Sequence, residues 1–305
     1  MSRQKDIYSQ LISQFDLLID EPMKNHTSFK VGGPADLFAQ PKTLDQLKDL
    51  LKTARKADIP VMLFGSGTNL LITDKGIRGL VITTRQLKSG IQMLQTDNNQ
   101  FLIQADAGEQ LSKVCRFAMD HSLSGLEFAV GIPGTLGGAV FMNAGTPDGN
   151  MAGIIECVNI INPDTLNIET LQHTDLCFSY RQSSLSGILF AATLRLVHSD
   201  PDQIRIKMDL NLKKKTSSQP LGVASAGCFF KNPGQGKPAG QLIEEAGLKG
   251  MRINDAQISQ IHANYIVNLD QATCQDILQL KQMVQETIMK QYHIKLETEV
   301  RIEGE

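Results

Sequence analysis

Apolar side chains recur at Leu44, Leu47, Leu51 and Ala54 in the stretch TLDQLKDLLKTARKAD (43 to 58), a spacing that gathers them on one face of a helix. Thr43 and Gln46 stand in capping-box register at its start, and Pro60 prevents its continuation. VMLF (61 to 64) then reads as a short buried strand running into the turn GSGTN. After a strand at FLIQA, the helical period returns at Leu111, Val114, Cys115, Ala118 and Met119, which makes Cys115 a core residue. Alternating strands and helices predict an α/β domain.

From 154 to 197 the pattern changes to strands, IIECVNII and ILFAATLRLV, separated by turn-rich sequence. The polar, proline-bearing HSDPDQ then suggests a boundary near residue 200. Beyond it come a basic helix end (KKK, 213 to 215), the helix AGQLIEEAG closed by Gly247, the strand NYIVN, and a long helix from about 273 to 292. That helix repeats Ile277, Leu280, Val284 and Ile288 at helical spacing, and a last strand, LETEVRI, follows it. The expected organisation is a first lobe at 1–200, with subdomains of about 1–85 and 86–200, and a compact α+β lobe at 201–305.

The 305 residues, 41% hydrophobic and 20% charged, suit a globular chain too long for a single core. A net charge of -2 with interspersed signs offers no cationic field for a nucleic-acid backbone. The sequence contains neither a signal-peptide pattern nor a long apolar stretch, so the expected location is the cytoplasm, away from the membrane. Five scattered cysteines and six scattered histidines without a ligand-spacing motif argue against a disulfide framework and against a metal site.

Two glycine-rich segments carry the first sign of chemistry. They are GSGTNLL, with Gly65, Ser66, Gly67, Thr68 and Asn69, and GIPGTLGGAVFMNAG, with Gly131, Ile132, Pro133, Gly134, Thr135, Gly137, Gly138, Asn143, Ala144 and Gly145. Glycine lets a backbone approach a ligand closely and turn successive N–H groups toward phosphate oxygens, so a pyrophosphate would suit the pair. A Rossmann site does not fit, because Leu70 stands where the third glycine belongs and no acidic residue follows at ribose distance. A P-loop is excluded because neither segment ends in Gly-Lys-Ser/Thr.

The blocks NHTSFKVGGPADLF, GSGTNLL, GIPGTLGGAVFMNAG, YRQSS, SAGCFFKNP, AGQLIEEAGLKG and LETEVRI occur in an order that resembles the UDP-N-acetylenolpyruvoylglucosamine reductases. The resemblance runs from about residue 25 to the end. It implies an α+β architecture: a vanillyl-alcohol-oxidase-type lobe of two α/β subdomains binding FAD non-covalently, and a C-terminal domain for the UDP-sugar. It also implies reduction of the enolpyruvyl ether of UDP-N-acetylglucosamine to UDP-N-acetylmuramate by NADPH, a step of peptidoglycan precursor synthesis. No obligate protein partner follows from it.

That reduction needs a hydride at one alkene carbon and a proton at its neighbour, with help for a carboxylate whose charge grows in between. The family places a serine as proton donor where this chain has Cys228; a thiol, with an ordinary pKa near 8.5, is a better donor than an alcohol. Glu299 matches the family's catalytic glutamate and Arg181 its active-site arginine, whose planar fork suits a carboxylate. Strand alternation in LETEVRI sets Glu297, Glu299 and Arg301 on one face. Candidate substrate contacts are Tyr180, Lys215, Asn232, His262 and Asn264. Between Arg181 and Lys213 no insertion is long enough for the tyrosine-bearing loop of the family's longer form, so the chain resembles the shorter subclass. The competing readings are another FAD-dependent oxidase or dehydrogenase on the same flavin lobe, and a non-catalytic nucleotide-binding module.

Overall fold

The computed structural model describes residues 8–9, 11–94, 100–234 and 236–305. The chain forms two compact units, the first comprising residues up to Leu18, Phe38–Ser66 and Gly79–Lys215, the second Ile19–Leu37, Gly67–Arg78 and Thr216–Glu305. Two early segments therefore belong with the C-terminal part of the chain. The polar stretch at 200 is no linker: Pro201 opens a helix that continues to Ser218.

In the first unit, helix α1 (Leu44–Lys56) starts where Thr43 accepts the Gln46 N–H, and it buries Leu47, Leu50, Leu51 and Ala54. The Gln46 side chain reaches the amide of Lys42, one residue beyond the expected box partner. The strand Val61–Phe64 pairs in parallel with Leu80–Thr83, and its side chains are half-buried, where the apolar run alone predicted full burial. Past the helical turn Thr84–Gln86, an antiparallel sheet runs in the order Ile168–Gln172, Ile155–Ile161, Ile188–His198, Gln100–Asp106, Ile91–Leu94, with Leu123–Ser124 pairing the end of Ile188–His198. Helix α2 (Leu111–Asp120) buries Leu111, Val114, Cys115 and Ala118 in this unit's core. Helix α3 (Leu136–Phe141) holds the second glycine segment against the same core. Helix α4 (Pro201–Ser218) is anchored there by buried Ile204 and by Asn211, whose amide donates to the Glu127 carbonyl.

The second unit has a separate core built on Phe29, Phe229, Phe230 and the apolar stripe of its long helix. Its three-stranded sheet runs Arg252–Ile253, Ala256–Ile258, Ile266–Asn268, and helix α5 (Ala239–Glu245) ends before Gly247, whose φ of 74° closes it. Helix α6 (Cys274–Tyr292) buries Ile277, Leu280, Val284 and Ile288 as their spacing predicts. A capping box of Thr273 and Asp276 starts it, and the Asp74 carboxylate accepts the N–H groups of Cys274 and Gln275, at 2.8 and 3.0 Å. The last strand is shorter than the alternation implied. Regular pairing covers only Arg301–Glu303, beside Leu70–Ile72. Just before it the amides of Glu299 and Val300 both point at the Phe229 carbonyl, which breaks the two-residue period. Among the described residues no helix is long and apolar enough to cross a membrane.

Candidate active site

In the first unit the glycine segment, a hairpin and helix α4 converge. Gly131 and Gly134 have φ of 74° and 120°, backbone shapes that side chains disfavour. Thr135 caps α3, its hydroxyl accepting the Gly138 N–H at 3.2 Å. The same hydroxyl lies 2.4 Å from where a Gly65 Cβ would stand, so the close approach of the two segments requires glycine there. The two glycines of α3 differ. A Cβ on Gly137 would come within 2.8 Å of the Ala107 side chain, whereas one on Gly138 would meet only the Thr135 hydroxyl, at 3.5 Å. Gly137 is thus a packing glycine, and Gly138 leaves backbone open to a bound group. The amides of Leu136 and Gly137 donate to the carbonyls of Glu109 and Ala107. With Gly138 bonded to Thr135, the first amides of α3 are used within the protein, and any phosphate contact falls to the loop ahead of the helix.

Tyr180 and Arg181 form the tip of a hairpin in which Phe178 pairs with Ser183 and Ser179 with Gln182. Arg181 sits there at φ 58°, a left-handed conformation that a non-glycine residue pays to adopt. Its guanidinium carbon lies 5.1 Å from the centroid of the Tyr180 ring, within cation–π range. The hairpin is fixed to α3 and the residues just after it by two hydrogen bonds, Asn143 Nδ2 to the Ser179 carbonyl (2.9 Å) and Ser183 Oγ to the Phe141 carbonyl (2.8 Å). Asn143 also accepts the Ala152 N–H through Oδ1 and is 6% exposed. Its side chain thus helps to place the arginine hairpin.

Lys215 joins this group from α4: its Cδ is 3.2 Å from the Cβ position of Gly131. Burial, opposed by nearby Cys115 and reinforced by the Arg181 charge, lowers its pKa to about 8. The unfolded chain binds this proton more tightly, so the burial costs stability below pH 8, and the cost fades as pH rises from there toward the ordinary lysine value. Lys215→Met is expected to raise the melting temperature at pH 7, with the advantage shrinking at pH 9.5. A melting temperature unchanged at both pH values would show that the ammonium is not desolvated.

In the second unit the segment carrying Cys228 lies between two others. Asn264 clamps it: the carbonyl of Asn264 accepts the Phe229 N–H (2.7 Å), while its side-chain amide accepts from Phe230 N–H (3.0 Å) and donates to Phe230 O (2.8 Å). At 3% exposure, Asn264 is buried and its amide holds the backbone on either side of Phe230. On the other side Phe230 bridges to Thr298, and Asn69 Nδ2 donates to the Glu299 carbonyl at 3.0 Å. Half-buried Cys228 hydrogen-bonds the side chain of Tyr265, and half-buried Glu299 lies near enough for its charge to act there. Burial above all, then the charge and hydrogen bond of Cys228 and the charge of Glu299, push that phenol well above the ordinary tyrosine range. The sequence alone did not single out Tyr265. Its signal was a hydroxyl in the apolar stretch ANYIVN, three positions past a candidate histidine.

Asn232 Oδ1 accepts the first amide of α5, from Ala239, at 3.0 Å, leaving its Nδ2 to donate elsewhere. His262 packs edge-on to Tyr265, with ring centroids 5.1 Å apart, and its Nδ1 accepts the Asn264 N–H. Burial lowers its pKa, so the neutral ring presents Nε2–H. Glu297, paired with Lys231 at 3.6 Å, is solvated. Among the described residues no cluster of His, Cys, Asp and Glu could hold a metal ion.

Comparison with known proteins accords with this arrangement. Residues 35–165 match the FAD binding domain family and residues 219–303 match the C-terminal domain of UDP-N-acetylenolpyruvoylglucosamine reductase. The chain is 43% identical to the UDP-N-acetylenolpyruvoylglucosamine reductase of Clostridium botulinum over 302 residues, 98% of this chain and 96% of the relative. It is 39% identical to that of Desulfosudis oleivorans over 94% of both chains. The crystal structure of the Thermus caldophilus reductase superposes with a TM-score of 0.78 at 35% identity, covering 94% of this chain and 98% of that one. With this identity along nearly its whole length, the chain belongs to the UDP-N-acetylenolpyruvoylglucosamine reductase family.

Proposed function

We propose that the protein reduces the enolpyruvyl ether of UDP-N-acetylglucosamine to UDP-N-acetylmuramate, with NADPH as reductant, FAD as hydride carrier and Cys228 as proton donor. The observation that carries this reading is that Cys228 and Glu299, 71 positions apart by their numbering, lie on neighbouring segments beside buried Tyr265, joined by the Phe229 N–H to the Asn264 carbonyl and the Glu299 N–H to the Phe229 carbonyl. A nucleotide-binding module would have no use for such a group.

The first unit suits FAD: Gly138 leaves bare backbone with only the Thr135 hydroxyl beside it, and Gly131 and Gly134 shape the loop before it. Gly65, Ser66 and the Gly131–Gly145 segment would hold the cofactor, with the Asn143 side chain also holding the hairpin. Bound FAD supplies the hydride for the alkene. Cys228 then holds the proton that quenches the carbanion beside the substrate carboxylate, and the S–H bond breaks as the C–H bond forms. Arg181 sets a bidentate donor against the charge growing on that carboxylate. The negative charge of Glu299 favours the protonated forms of its neighbours, as it does for Tyr265. Lys215, Asn232 Nδ2 and His262 Nε2 are the donors assigned to the UDP-sugar, and Tyr180 keeps the arginine oriented.

The test is optical. Purified protein should be yellow, bleach with NADPH in the absence of oxygen, and regain colour when the UDP-enolpyruvyl sugar is added. Bleaching by an alcohol in place of NADPH would favour an oxidase on the same lobe. Gly138→Val separates cofactor from fold: a valine in the interior of a helix costs less than about 1 kcal/mol, and this one has room, so the variant should fold and emerge colourless. Full flavin content, read as the ratio of visible to ultraviolet absorbance, would remove Gly138 from the cofactor site.

A further inference from the structure

The mechanism above leaves one buried polar group beside the donor without a task. Tyr265 is 8% exposed, and its main chain is fixed at both ends: its N–H donates to the His262 carbonyl (3.0 Å) and its carbonyl accepts from Ser259 (2.8 Å). Its neighbour Asn264 holds the Phe229–Phe230 backbone by three hydrogen bonds, so the residue before them, Cys228, is set against the tyrosine by rigid local structure. The His262 ring supports the phenol edge-on.

We propose that Tyr265 is the positioning residue of the proton donor: its hydroxyl orients the Cys228 thiol and donates a hydrogen bond to the sulfur once the proton has left. The idea rests on the assignment of Cys228 as donor. The balance is simple. The sulfur–hydrogen bond of Cys228 breaks and a carbon–hydrogen bond of the product forms, leaving a thiolate that accepts from the Tyr265 O–H; the thiolate later recovers its proton from water. Tyr265 gives up no proton. Burial and the two neighbouring acids favour its neutral form throughout, so it serves as a fixed donor and not as a relay. A hydrogen bond to a charged acceptor contributes about 1.5–3 kcal/mol, which makes the thiol a stronger acid where that acidity is used. The titratable groups around the pair are Glu299, whose charge acts on the phenol, and His262, whose ring is neutral.

Tyr265→Phe removes the hydroxyl and keeps the ring. Flavin content and bleaching by NADPH should be those of the parent, while reoxidation by the UDP-enolpyruvyl sugar should slow by about 10- to 100-fold. A readout independent of turnover is the thiolate absorbance near 240 nm that Cys228→Ser abolishes: its midpoint should move up by about one to two pH units in Tyr265→Phe. Adding Tyr265→Phe to Cys228→Ala should cause no further loss. The inference is overturned if the thiol midpoint stays in place, or if the phenylalanine slows reoxidation equally with and without Cys228. Failure of the parent reading looks different: Cys228→Ala alone would then reoxidise at the parent rate.

Discussion

Cys228→Ala is expected to bleach normally with NADPH and to regain its colour very slowly with the UDP-enolpyruvyl sugar. The two half-reactions differ in what they ask of the protein. Transfer of hydride from NADPH needs no proton from Cys228, whereas saturating the enolpyruvyl group leaves a carbanion that must be protonated. Loss of a positioned general acid typically costs on the order of 100- to 10,000-fold, and the loss should fall on the second half-reaction alone. Cys228→Ser should recover much of it, since an alcohol at the same atom position can still donate. A cysteine whose task was packing would behave otherwise. Cys228 is only half-buried, so the small cavity left by alanine would cost about 1–2 kcal/mol at most, and both half-reactions would run alike. Rapid-mixing absorbance of each half-reaction decides between them; reoxidation of the alanine variant at the parent rate would move the proton source elsewhere.

How far the sequence alone could be read differs between fold and site for physical reasons. Helix α6 was legible to within a residue because its stripe of Ile277, Leu280, Val284 and Ile288 and its Thr273 cap are both local signals. The last strand was not, since its irregularity arises from the shared Phe229 carbonyl, a residue some 70 positions away. The same limit governs the site. Glycines announce themselves, yet whether a glycine packs against Ala107, as Gly137 does, or faces open space, as Gly138 does, depends on a neighbour in another element. Asn143 and Asn264 sit in motifs that invite a ligand, and only their neighbours in other segments reveal that each amide also bonds nearby backbone. Tyr265 escaped notice for the opposite reason. In an apolar strand its ring reads as packing, and only the arrangement of three segments reveals that its hydroxyl meets Cys228 and feels the charge of Glu299.

Arg181→Lys is expected to keep its flavin and lose most of its turnover, by about 100- to 1000-fold. The backbone gives the first reason. Arg181 holds a left-handed φ of 58° at the tip of a two-residue turn, and the hairpin under it is bonded to the end of α3 through Ser183 and to the segment just after it through Asn143. Lysine tolerates that conformation no better and no worse, so the variant should fold and bind FAD as the parent does. What changes is the head group: an ammonium is a point charge that cannot lay two parallel N–H donors along a carboxylate, and it stacks less well on the Tyr180 ring. Because the fork matters most when the carboxylate gains charge, the loss should appear in kcat more than in KM. Arg181→Gly supplies the control for strain. Glycine at this φ relieves the backbone cost and removes a positive charge from beside Lys215, so this variant should melt no earlier than the parent despite losing a whole side chain, while turning over even less than the lysine variant. Near-normal kcat in Arg181→Lys would reduce the arginine to a structural role, and a markedly lower melting temperature in Arg181→Gly would show that its stacking and charge hold the hairpin together.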